Sequence, residues 1–212
     1  LESTLATNSV IRNTYILLSL TLLFSALVAG VAMTMQAPML NVWLVLGGYF
    51  GLLFVTHRLR NSAWGLLAVF ALTGFMGYTL GPLLNAYVGH YANGTQLVVY
   101  ALGGTGAIFI GLSAYALTTR KDFSFMGGFL MAGILIAFLA AIANIFFAMP
   151  SLALAVSTMF MLLMCGLILY ETSNLVHGGE TNYILATVGL YVTIYNLFTS
   201  LLHLLGVFGG DD

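Results

Sequence analysis

Charge is what this sequence has least of. Five Lys and Arg and six Asp and Glu are spread over 212 residues, 5% charged against 61% hydrophobic. Ordinary soluble domains carry about 25% charged residues. A chain this apolar has no polar surface with which to cover itself in water, which excludes a soluble globular class. The net charge of −1 leaves no basic face for nucleic acid. The one cysteine, Cys165, lies inside an apolar run, which excludes an internal disulfide and a cysteine zinc cluster. The four histidines, His57, His90, His177 and His203, are too scattered for a metal site. No HExxH or Ser/His/Asp pattern occurs, so neither catalysis, metal nor cofactor is expected.

What is abundant is apolar sequence, in seven runs of about 20 residues, each long enough to span a bilayer as a helix. They cover roughly 13–35, 39–56, 62–88, 96–118, 124–148, 152–176 and 183–208. The expected fold is therefore an all-α polytopic membrane protein with seven transmembrane helices. Residues 1–12 read as an aperiodic polar tail and 209–212 as a short outer tail, leaving 13–208 as the membrane domain. The first run is too long for a signal-peptide core, and a start at Leu1 rather than Met suggests trimmed N-terminal residues. All five cations, Arg12, Arg58, Arg60, Arg120 and Lys121, fall in alternate connections. That segregation puts the N-terminus in the cytoplasm and the C-terminus outside.

Glycine is the other surplus, with 24 residues. Gly47–Gly51 and Gly77–Gly81 are GxxxG pairs, and Ala107–Gly111 and Gly128–Ala132 are small-xxx-small pairs. Such spacing lets helices approach closely, either within one chain or between two copies. Gly81-Pro82 within span three predicts a kink, because proline removes a backbone donor and crowds the turn before it.

Two features point to function. On span seven, steps of about 100° place Gly189, Thr193, Asn196, Ser200 and His203 within an arc of roughly 80°, joined by Asn182 just before the span. Tyr191 and Tyr195 lie opposite. A polar stripe this long avoids lipid, so it is expected to face other helices, as interhelical glue or as the wall of a permeation path. The second feature is Glu171, the one acid that a span can bury. Either span six continues to Val176 and encloses it, or the span stops at Tyr170 and Glu171 is a solvated end charge. If enclosed, it needs a partner such as Arg58, Arg60 or Thr193. Glu171, Thr193, Asn196 and His203 are thus the ion or proton site candidates, with Arg58 and Arg60 as charge partners on the cytoplasmic side.

Several stretches resemble one family. GYTLGPLLNAYVG at 77–89, with Gly81, Pro82, Leu83 and Leu84 as its core, is similar to the signature of the Bax inhibitor one (TMBIM) family. RNTYILLSLTL (12–22), LTTRKDFSFMGGFLMAGI (117–134) and YETSNLVHGGETNYILATVGLYVTIYNLF (170–198) resemble its bacterial inner-membrane branch. The resemblance implies six helices surrounding a central seventh. It implies two activities: restraint of the ATP-dependent membrane protease FtsH as a partner, and a pH-sensitive calcium leak at paired aspartates. Glu171 matches the first of that pair and Thr193 stands at the second, so one carboxylate is missing. The expectation is a non-enzymatic inner-membrane regulator of FtsH, with the tail at 1–12 as the handle. A calcium or cation leak near Glu171 is the alternative, and a purely structural bundle the third reading.

Overall fold

The computed structural model describes residues 2–210, with side chains from Asn8 onward. Leu1, Asp211 and Asp212, which the sequence reading places in terminal tails, lie outside the described residues. Seven helices follow one another: α1 (Glu2–Thr34), α2 (Val42–Leu59), α3 (Ala63–His90), α4 (Gly94–Thr119), α5 (Gly127–Phe147), α6 (Pro150–Val176) and α7 (Tyr183–Gly209). A 3-10 turn at Ser124–Met126 precedes α5. All seven are long and apolar enough to cross a membrane. No strand occurs among the described residues.

The helix ends shift by up to three residues from the sequence reading, α2 running Val42–Leu59 rather than 39–56, and the largest difference is at the N-terminus. The polar segment 2–12, which has no hydrophobic periodicity, is nonetheless helical and continuous with α1. No glycine or proline occurs before Gly30, and a started helix extends at little cost per residue. The apolar part suited to the membrane begins at Asn8.

Local chemistry sets the other ends. Asn41 caps α2, its side chain accepting from Trp43 N–H at 2.9 Å. Asn182 does the same for α7, accepting from Ile184 and Leu185 N–H at 3.0 and 3.1 Å. Glu180 Oε1 in turn accepts from Asn182 N–H at 2.7 Å. Helices α4 and α5 stop where Arg120 and Ala148 adopt left-handed backbone, φ 50° and 48°. Pro150 then starts α6 at a position where its missing N–H costs nothing.

The chain divides into two compact units, Leu1–His90 with Glu180–Tyr191, and Tyr91–Gly179 with Val192–Asp212. In the first, α3 packs against α1 and α2. The α1–α3 contact is a backbone approach. A Cβ on Gly77 would strike the Ser25 carbonyl, and one on Gly81 would lie 2.5 Å from Ala32 Cβ and 3.1 Å from Ala29 O. The Gly77–Gly81 pair therefore serves intramolecular packing. At the other small pairs the glycines have open space: nothing lies within 4 Å of a Cβ on Gly47, Gly51, Gly111 or Gly128. Pro82 sits inside α3, which runs through to His90. The second unit packs α6 against α5 and α4 around Leu130, Ala137, Leu163, Met164, Ile168 and Leu197.

The first unit also holds a buried hydroxyl pair. Tyr191 OH donates to Thr73 O at 3.3 Å and lies 2.5 Å from Ser25 Oγ, so the serine donates to the tyrosine. Tyr191 is 2% exposed. Removing one partner strands the other out of water. Tyr191→Phe is expected to lower unfolding stability by about 1–2 kcal/mol. Ser25→Ala added to it should restore part of that loss. A denaturant titration of the protein in detergent reads both, and an unchanged midpoint in the single variant would show that the pair contributes nothing.

Candidate functional site

Helix α6 runs to Val176, so Glu171 lies inside it by about 8 Å at 1.5 Å per residue. It is part-buried. Three consecutive residues there point to three different neighbours, as successive 100° steps require. Glu171 Oε2 accepts from Thr193 Oγ1 of α7 at 2.9 Å. Thr172 Oγ1 lies 3.4 Å from Ser113 Oγ of α4. Ser173 Oγ accepts from Phe123 N–H at 3.0 Å and donates to Lys121 O at 3.2 Å, gripping the turn that follows α4. Thr193 and Thr172 are fully buried, and Ser173 and Ser113 nearly so.

Further along the α6–α7 seam, Ser157 Oγ and His203 Nδ1 are 2.6 Å apart. Asn196 turns its amide back on its own helix, donating to Val192 O at 2.8 Å. Ser200 is buried. None of Gly189, Thr193, Asn196, Ser200 and His203 is exposed. Over half of α7's most apolar stretch is buried, against 6% for α2.

The structure thus brings Glu171 to Thr193 and His203 to Ser157, while Asn196 spends its amide locally. Asn182 is a helix cap. Arg58, in the last turn of α2, is exposed. Arg60 caps that helix, and its carbonyl accepts from Asn182 Nδ2 at 3.1 Å. Sequence reasoning missed Ser157, though it stands 14 residues before Glu171 and so within about 40° of the same face. It also missed Ser113 and Ser173, which lie on helices with no polar stripe to flag them.

Chemically, the Glu171–Thr193 pair offers one carboxyl group and one neutral hydroxyl. Calcium asks for six to eight oxygens, commonly from several carboxylates. No group of three or more His, Cys, Asp or Glu able to hold a metal occurs among the described residues. The pair is suited to holding a proton or tying α6 to α7.

Comparison with known proteins extends this picture. The family model described as "Inhibitor of apoptosis-promoting Bax1" matches residues 7–210. The "Modulator of FtsH protease YccA" of Escherichia coli K12 is 51% identical over 209 residues, covering 99% of this chain and 94% of that protein. The same identity and coverage hold for the "Inner membrane protein YccA" of Escherichia coli O6:H1. An uncharacterized protein of Pseudomonas aeruginosa is 55% identical over 205 residues, covering 97% of this chain and 92% of its own. With the match running from the first membrane span to the end of the seventh helix, the chain belongs to the Bax inhibitor-1 family.

Proposed function

We propose that this protein is an inner-membrane regulator that binds an FtsH-type protease complex and slows its degradation of membrane substrates. One observation carries the reading: half-identity, over nearly the whole of both chains, to a protein named as a modulator of that protease. The regulator acts by association rather than catalysis. The connections between its helices are short, the longest being 35–41 and 120–126, so they offer little unstructured chain to a processive protease. Extracting seven apolar helices costs far more than unfolding a soluble segment. The N-terminal residues lie in the cytoplasm and the C-terminus outside, following the cation segregation. A reporter active only in the cytoplasm, fused at the C-terminus, is expected to be silent; a strong signal would overturn that orientation.

Co-purification and a degradation assay test the main reading. The full chain is expected to pull down the protease complex from membranes and to lengthen the lifetime of a membrane substrate in reconstituted vesicles. Absence of association, together with cation flux in the same vesicles, would reverse the assignment in favour of a leak. That second reading rests on a part-buried Glu171 in an apolar helix, and it is weakened by Thr193 in place of a second acid.

A further inference from the structure

The turn between α4 and α5 has a construction that neither packing nor the proposed regulation accounts for. Residues 120–123 lie between a membrane span ending at Thr119 and one starting at Ser124, which sets them at the headgroup boundary. The turn is held rigidly. Ser173 grips the backbone at Lys121 and Phe123. Asp122 Oδ1 accepts from Ser124 N–H at 2.8 Å. Hydrogen bonds from the Ser124 backbone and side chain hold the Asp122 carboxyl below the usual range. Arg120, Lys121 and Asp122 together still leave the turn one positive charge in excess.

Two cations stand on this frame. Arg120 is exposed, and its guanidinium has no partner among the described residues. It occupies left-handed backbone, φ 50°, where glycine or asparagine would be less strained. Lys121 Nζ lies 3.1 Å from Tyr115 OH and 5.7 Å from that ring's centre, so its head is steered by an aromatic shelf. Beyond the turn, Phe125 and Phe129 are 79% and 73% exposed. They are four residues apart. Exposed cations next to exposed aromatics at a span boundary match the layering of a phospholipid, charge outside and hydrocarbon within.

We propose that the Arg120–Lys121 turn is a docking site for an anionic phospholipid, whose phosphate meets the two cations and whose acyl chain lies on Phe125 and Phe129. The occupant is a membrane lipid because the cations sit at the depth of its phosphate. The lysine, held on Tyr115, is positioned before the ligand arrives, which lowers its share of the ordering cost of binding.

A tryptophan at the aromatic end reads this directly. The full-length Phe125→Trp protein is reconstituted in phosphatidylcholine vesicles with a minor fraction of brominated phosphatidylglycerol or of brominated phosphatidylcholine. Brominated phosphatidylglycerol is expected to quench the added fluorescence more strongly at equal mole fraction. Arg120→Gln with Lys121→Gln should bring the two curves together, since each cation favours an anionic lipid by about fivefold. Equal quenching in the parent protein overturns the proposal and leaves an acidic protein segment as the occupant. Should the double variant not fold, native mass spectrometry of the unaltered chain and of Lys121→Gln alone gives the same test. The single variant is expected to retain fewer phosphatidylglycerol molecules, and equal retention also overturns the proposal.

Discussion

Replacing Gly77 with leucine is expected to prevent stable folding of the first unit. A Cβ at that position meets the Ser25 carbonyl oxygen, and its next neighbour is Ser25 Oγ at 2.8 Å. The obstacle is chiefly backbone, which cannot swing aside as a flexible side chain does. Relief requires α3 to move off α1 along its whole contact, including Gly81 against Ala32. Forced overpacking costs about 1–3 kcal/mol where side chains yield, and more where backbone is displaced. The shift would also pull apart Tyr191, Ser25 and Thr73, which depend on the same spacing. The matched control is Gly47→Ala, with an identical motif and open space around it. Removing glycine's backbone freedom from a helix there should stabilise by about 0.5–1 kcal/mol. Unfolding of both variants in detergent, followed by helix content, decides the matter. A Gly77→Leu protein with an ordinary midpoint would mean that the α1–α3 approach is looser than described.

These two glycine pairs show where sequence stops informing structure. Gly47–Gly51 and Gly77–Gly81 have the same spacing in equally apolar runs, yet one is packed against a backbone and the other is open. Spacing states that close approach is permitted; which neighbour accepts the invitation depends on the tertiary arrangement. The helices themselves were legible because bilayer thickness fixes their length and six short polar breaks separate them. The start of α1 was not, because residues 2–12 have no apolar stripe although nothing in them stops a helix. Part of the candidate site was legible too. The stripe on α7 marked Thr193 and His203 as inward-facing, and Glu171 stood out as the acid within an apolar span. Their partners divided by visibility. Thr193 was on the stripe, whereas Ser157 is a small polar residue in an apolar helix and carried no mark, as is true of Ser25, the partner of Tyr191. Tyr191 lies opposite the stripe, and that face too is buried, against Ser25 and Thr73.

Thr193→Val is expected to be the costliest conservative change on the α6–α7 seam. Valine keeps the shape of threonine and removes only the hydroxyl that donates to Glu171 Oε2 at 2.9 Å. The carboxyl group then loses its one recorded side-chain donor in a part-buried setting. Stranding a polar group in this way costs about 1–3 kcal/mol, more when it is charged. Glu171→Gln should cost less, since its amide oxygen still accepts from Thr193. In the double variant Glu171→Leu with Thr193→Val both polar groups are gone, and much of the loss should return. The cycle therefore separates a structural tie from a functional acid. If the pair is only a tie, the leucine–valine protein folds and still slows the protease. If Glu171 serves a cation path, vesicles containing Glu171→Gln lose flux while the protein keeps its stability, because a glutamine preserves the hydrogen bond but not the charge that attracts a cation. Loss of protease association in Glu171→Gln, with folding and flux unchanged, would assign this acid to regulation itself and join the seam to the partner-binding function.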